Sequence, residues 1–299
     1  MAKLGRLLTA MVTPFDEDGK VDYEQAKKLA LALLGSGSEG VVIVGTTGES
    51  PTLVRDEEKR LFAEVKSAVG ERGVVVAGTG SNSTAEALEA TKQAEEIGVD
   101  ACLLVVPYYN KPTQEGLYEH FKTVAESTGL PCILYNVPGR TVAALSAETT
   151  IRLSRIDNII GTKEASGNLS QIARIISGTD EDFLVYSGND HDALPILSIG
   201  GYGVISVASH LVGLQIRKMI TSAVEGQIQE AGRIHRGLLP LFDALFAVAN
   251  PIPIKYALNQ VGFNVGKPRL PLTVPDEKTA ALIRDILKEY QLDLKVAAI

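Results

Sequence analysis

At 299 residues and 45% hydrophobic content, the chain is long enough to bury a large core and too apolar to remain disordered. Its formal charge of -7, with no cluster of lysine and arginine, excludes a phosphate-tracking surface, so no nucleic-acid partner is expected. No stretch approaches the ~18 apolar residues of a membrane span, and the run from Leu7 to Val12 is too short for a signal-peptide core, so the chain reads as cytoplasmic with no membrane partner.

The first β-rich run, LLTAMVT (7–13), gives way to a helical pattern from Tyr23 to Leu34 with Asp22 placed to cap it. GVVIVG (40–45) follows, then a helix over Arg55 to Val69. VVVAGTG (74–80) leads through a capping Ser83 into Thr84 to Ile97, and ACLLVVPY (101–108) into Gln114 to Ser127. CILYNV (132–137), IIGTKEA (159–165), FLVYSG (183–188) and GVISVA (203–208) complete eight such runs. They are continuous in Val, Ile and Leu rather than alternating, as in a parallel sheet covered on both faces. Eight β/α units within about 210 residues match a (β/α)8 TIM barrel of the α/β class better than an open doubly wound sheet. Beyond residue 210 only helices are predicted, over Leu211 to Val224, Gln227 to Ala249, Ile252 to Val261 and Glu277 to Tyr290. Residues 1–224 therefore read as a catalytic barrel and 225–299 as a C-terminal helical extension packed on it.

Cys102 and Cys132 sit inside apolar runs without C-x-x-C spacing, as reduced core residues would. The four histidines show no H-E-x-x-H spacing, so no metal site is expected.

In such a barrel the chemistry lies where each apolar run breaks into polar residues at its C-terminal end. GTTGES (45–50) turns backbone N–H groups and the hydroxyls of Thr46 and Thr47 toward an anion, and it lacks the lysine of a nucleotide-binding loop. A carboxylate is its natural guest; an ordinary tight turn has the same composition. Tyr135 closes the fifth run, either as a proton-relaying phenol or as a core aromatic. Arg140, after a Pro-Gly turn, could grip a carboxylate bidentately or make a loop salt bridge. Tyr108 and Tyr109 close the fourth run, where rim packing is the default. Lys163 enters the apolar run IIGT either as the strand's exit to solvent or as a desolvated amine whose lowered pKa makes it a nucleophile. Glu164 would face the opposite side of a regular strand.

GTTGES, AGTGSNST, PYYNKPTQEGLYEHF, LYNVPGRT, GTKEASGNL, SGND and GVISVASH, in this order and joined by NPIPIKYAL (250–258), closely resemble the dihydrodipicolinate synthase family. That family belongs to the pyruvate-dependent Schiff-base aldolases, which include N-acetylneuraminate lyase. The resemblance implies a lyase that condenses pyruvate with L-aspartate 4-semialdehyde in lysine (diaminopimelate) biosynthesis. It implies that Lys163 forms the imine, with Tyr135, Thr46 and Tyr109 as a proton relay in which Tyr109 reaches in from a neighbouring subunit. Thr47 would bind the pyruvate carboxylate, Arg140 the carboxylate of the aldehyde, and Gly188 and Ile205 would line the bound pyruvate. No external cofactor is implied, because the imine is itself the electron sink. The implied assembly is a homotetramer, a dimer of dimers, with a lysine-effector site formed by Ser50, Pro51, Arg55, Glu58, Asn82, Glu86 and Tyr108. Arg55 and Glu58 stand where histidine is frequent in the family, so feedback by lysine is expected to be weak to moderate. Two readings compete: a sugar-acid aldolase or lyase on the same barrel, and a catalytically silent barrel that senses pyruvate or an amino acid.

Overall fold

The computed structural model describes residues 4–294. In chain order the barrel region runs β1 (Leu7–Ala10), α1 (Tyr23–Gly35), β2 (Gly40–Ile43), α2 (Arg55–Val69), β3 (Val74–Gly78), α3 (Thr84–Ile97), β4 (Ala101–Val105) and α4 (Gln114–Glu126). It continues with β5 (Cys132–Asn136), α5 (Pro138–Thr141), α6 (Ala147–Leu153), β6 (Ile159–Glu164), α7 (Leu169–Gly178), β7 (Leu184–Ser187), α8 (Ala193–Ser198) and β8 (Gly203–Ser206). Four helices follow: α9 (Ser209–Val224), α10 (Ile228–Leu245), α11 (Ile252–Gln260) and α12 (Glu277–Leu287). The strands join in sequence order, β1 to β8, into a closed barrel, the TIM-barrel architecture read from the eight runs. Among the described residues no helix is long and apolar enough to cross a membrane.

The chain divides into two compact units, Met1–Val75 with Ser206–Ile299, and Val76–Ile205. In the first, Asp22 caps α1 by accepting from the Gln25 N–H, as the sequence predicts. Leu29 and Leu33 of α1 and Leu61, Phe62 and Val65 of α2 are buried, which is the apolar stripe of each helix. His210 is buried with both ring nitrogens engaged, one facing the Val207 carbonyl and the other accepting from Val12 N–H. α10 stops four residues short of the predicted Ala249, because Phe246 leaves helical geometry (φ -120, ψ 13) while its N–H closes the last turn.

In the second unit, Ser83, Ser146 and Asn168 cap α3, α6 and α7 through side-chain oxygens, each contributing about 1 kcal/mol. α7 buries Ile172 and Ile175 against Val185, Ile196 and Ala147; each such isoleucine stabilises the fold by roughly 1.5–3 kcal/mol. Gly161 lies where β6 meets β7: a β-carbon there would be 2.4 Å from the Leu184 carbonyl oxygen, so only glycine allows that pairing. Across β5 and β6, Tyr135 is level with Lys163 and Asn136 with Glu164. That register decides what the site contains.

Candidate active site

β6 carries Lys163 into the interior rather than out to solvent: the residue is 6% exposed. Its Nζ lies 4.3 Å from the centroid of the Tyr135 ring, which is itself buried. Burial pushes the Lys163 pKa down from 10.5 to about 8; the charge of Asp190 opposes the shift and that of Arg140 adds to it. At neutral pH roughly one amine in ten is then unprotonated, against about one in three thousand for an ordinary lysine. Gly188 leaves room for the side chain, since a β-carbon there would sit 2.8 Å from Ala165 Cβ and 3.1 Å from Lys163 Cε. Ile205 is buried in β8.

Neighbouring side chains alternate faces along a strand, and the residue after Lys163 shows it. The Glu164 carboxylate accepts from Asn136 Nδ2 at 3.0 and 3.3 Å and from the Ser166 hydroxyl at 2.8 Å. Asn136 also binds both backbone groups of Leu145, accepting from its N–H at 3.0 Å and donating to its carbonyl at 3.3 Å. Burial raises the Glu164 pKa to about 7, and these hydrogen bonds oppose the rise. The segment between Asn136 and Leu145 holds α5, so Arg140 is mounted on a loop tied at both ends. Arg140 itself is exposed, on a one-turn helix that begins at Pro138 and is closed by Val142 in the left-handed region (φ 59).

Tyr108 is half-buried, whereas Tyr109 is 88% exposed and also left-handed (φ 73). The same loop is tethered by Asn110, whose side chain donates to the Asn82 carbonyl at 2.8 Å. Glu86, on α3, accepts from Ser81 Oγ at 2.8 Å.

In the first unit, Thr46 and Thr47 follow β2, Thr46 half-buried and Thr47 buried. Asn250 donates from Nδ2 to Thr47 Oγ1 at 2.9 Å, which leaves the threonine's own O–H to be given elsewhere. The Asn250 Oδ1 is buried without a hydrogen-bond partner. Glu49, later in the same turn, is buried and paired with Lys255 at 2.7 Å. Ser50 and Pro51 form a single 3₁₀ turn, and Arg55 of α2 pairs with Glu58 at 2.7 Å.

The structure thus brings Lys163, Tyr135 and Gly188 together and sets Thr46 and Thr47 on a turn in the other unit. Tyr109 is turned toward solvent. Glu49, Asn136, Asp190, Asn250 and Lys255 were not singled out from the sequence. Lys255 carried the signal that marked Lys163, a charge inside an apolar run (PIPIKYAL); Asn250 carried none. Cys102 and Cys132 are buried free thiols, and burial pushes Cys102 up to about 12. Among the described residues no group of three or more His, Cys, Asp or Glu is arranged to hold a metal ion.

The Dihydrodipicolinate synthetase family matches residues 3–290. A relative from Dehalococcoides mccartyi, named 4-hydroxy-tetrahydrodipicolinate synthase, is 68% identical over 99% of this chain and 100% of its own. A dihydrodipicolinate synthase structure from Bacillus anthracis superposes with a TM-score of 0.95 at 45% identity, covering 97% of this chain and 100% of that one. One from Cyanidioschyzon merolae with lysine bound gives 0.94 at 50% identity, covering 95% and 97%. With matches of this extent, the chain belongs to the dihydrodipicolinate synthetase family.

Proposed function

We propose that the protein condenses pyruvate with L-aspartate 4-semialdehyde through an imine on Lys163, giving 4-hydroxy-tetrahydrodipicolinate for lysine (diaminopimelate) biosynthesis in the cytoplasm. The observation that carries this reading is the Lys163 amine itself, buried against the Tyr135 ring with its pKa brought down to about 8. The free amine adds to the ketone carbon of pyruvate, and loss of water from the carbinolamine gives the imine. Tyr135 relays the protons, with Thr46 and with Tyr109 from a second copy. A Tyr109 that is 88% exposed on its own chain is available for that reach. Thr47, with its oxygen occupied by Asn250, has its O–H free to donate to the pyruvate carboxylate. Gly188 and Ile205 bound the space around the bound pyruvate.

Loss of a C3 proton converts the imine to an enamine, which attacks the aldehyde carbon while a proton passes to the forming alkoxide. The amine of the aldehyde substrate then adds to the imine carbon, closing the ring and expelling Lys163. Arg140 holds the aldehyde's carboxylate with its planar fork. Its positive charge also disfavours the protonated form of Lys163. The imine supplies the electron sink, so the reaction needs no external cofactor. The reading retains residues 1–224 as the catalytic barrel, 225–299 as a helical extension packed on it, and a homotetramer as the working assembly.

Lysine would bind at the site formed by Ser50, Pro51, Arg55, Glu58, Asn82, Glu86 and Tyr108. Arg55 already occupies Glu58, which argues for weak to moderate inhibition; unchanged initial rates at millimolar lysine would remove this part of the proposal. The function is tested by borohydride reduction in the presence of pyruvate, which should inactivate the protein and add mass at Lys163. A coupled assay with pyruvate and aspartate semialdehyde, run beside N-acetylneuraminate and 2-keto-3-deoxygluconate cleavage, fixes the substrate. An absent adduct would leave a silent sensor in its place.

A further inference from the structure

A second lysine is buried more deeply than Lys163. Lys255, on α11, and Glu49, in the GTTGES turn, form an ion pair at 2.7 Å with side chains 1% and 0% exposed. Lys255 Nζ also donates to the Lys267 carbonyl at 3.3 Å and lies 4.1 Å from the centre of the Phe15 ring. The other oxygen of Glu49 accepts from the Arg269 backbone N–H at 2.8 Å. The Arg269 guanidinium stacks on the same Phe15 ring at 4.3 Å, donates to the Thr52 carbonyl, and forks onto the Glu57 carboxylate. Both carboxylate oxygens of Glu49 are therefore held from sequence positions more than 200 residues away.

Glu49 is itself in the left-handed region (φ 57), a conformation that a non-glycine residue keeps only where its surroundings enforce it. Replacing a buried ion pair by neutral groups of similar volume is commonly neutral for stability, because desolvation offsets the attraction. Stability alone is then a poor reason for this pair. Its position supplies a better one. Asn250, five residues before Lys255 in the chain, bonds to Thr47, two residues before Glu49. One segment thus grips the turn at two points, once by a neutral hydrogen bond and once by a charge.

We infer that Lys255 and Glu49 are positioning residues that fix the Thr46–Thr47 turn in the shape needed to receive the carboxylate of a 2-oxo acid; this rests on the function proposed above. Arg269 braces the far end of the same turn through Thr52 and Glu57. None of the three touches substrate. Their effect is exerted through Thr47.

The test is the double variant Glu49→Gln/Lys255→Met, which removes both charges at nearly constant volume and leaves an amide oxygen for the Arg269 N–H. Its thermal midpoint should stay within about 5 °C of the parent. The pyruvate KM should rise about tenfold while kcat and the KM for the aldehyde change less than about threefold, the pattern of lost ground-state binding. At saturating pyruvate, borohydride should still label Lys163 completely. Arg269→Gln, at a side chain 20% exposed, should raise the pyruvate KM about threefold and decides the matter if the double variant does not fold. A wild-type pyruvate KM in whichever variant folds, or a fall in kcat with KM unchanged, overturns the inference. Failure of the parent protein to form any pyruvate imine would instead overturn the proposed function, so the two failures are distinguishable.

Discussion

Lys163 and Lys255 are two buried amines with the same displaced pKa, about 8, and opposite prospects. Each owes its shift first to burial, and each lies against an aromatic ring, Tyr135 in one case and Phe15 in the other. They differ in the anion each one faces. Asp190 acts on Lys163 through space, whereas Glu49 both attracts Lys255 and accepts its hydrogen bond. Lys255 Nζ is committed as a donor to the Glu49 carboxylate at 2.7 Å and the Lys267 carbonyl at 3.3 Å, the arrangement of a strut. In the proposed reaction Lys163 is the amine that sheds its proton and attacks. A depressed pKa therefore does not by itself identify a nucleophile; the geometry of the nearest carboxylate does.

The sharpest way to break the comparison is to exchange reactivity for its absence. Lys163→Ala should lose all pyruvate-dependent borohydride labelling and reduce kcat/KM by more than about a thousandfold, with Lys255 unlabelled in both proteins. Label at Lys255 would end the distinction between strut and nucleophile. The next effect in size is on pH. Because the proposed imine formation requires Lys163 to lose a proton, the labelling rate at limiting pyruvate should climb about tenfold per unit up to pH 8 and then level off. A rise that continues to pH 10 would mean that burial has not displaced this amine. Arg140→Ala should leave the extent of labelling at saturating pyruvate intact yet lower kcat/KM for the aldehyde by tens-fold, as expected for a lost charged hydrogen bond of roughly 1.5–3 kcal/mol. Equal loss of both activities would contradict the division of labour.

The smallest effect concerns Glu164, the residue after Lys163. A carboxyl raised from 4.5 to about 7 supports the folded chain fully below pH 4.5 and loses that support as pH climbs through 7. Its whole contribution is on the order of 3 kcal/mol. Glu164→Gln should therefore flatten the fall in thermal midpoint between pH 5 and 8 by roughly 5 °C. Parallel slopes for variant and parent would show that Glu164 does not titrate in this range.

Much of the fold was legible because barrel strands are covered on both faces and so appear as unbroken apolar runs; all eight fall within the predicted stretches. Lys163 was legible for the same reason, as a charge where such a run should have none. The Glu49–Lys255 pair was not, since its partners are 206 residues apart and no local period links them. Asn136 was hidden differently. It lies in a strand whose apolar character is what the eye follows, and its function depends on a loop backbone nine residues ahead. The end of α10 was misjudged because Phe246 has an ordinary helical side chain and only its backbone departs.

Arg140 is carried on a four-residue helix, bounded by Pro138 and the left-handed Val142 and anchored at its base by Asn136. Such a segment is a cassette: its ends are fixed by the scaffold while its middle projects outward. In the proposed reaction, rewriting those few residues would change which electrophile is held and leave the imine on Lys163 undisturbed.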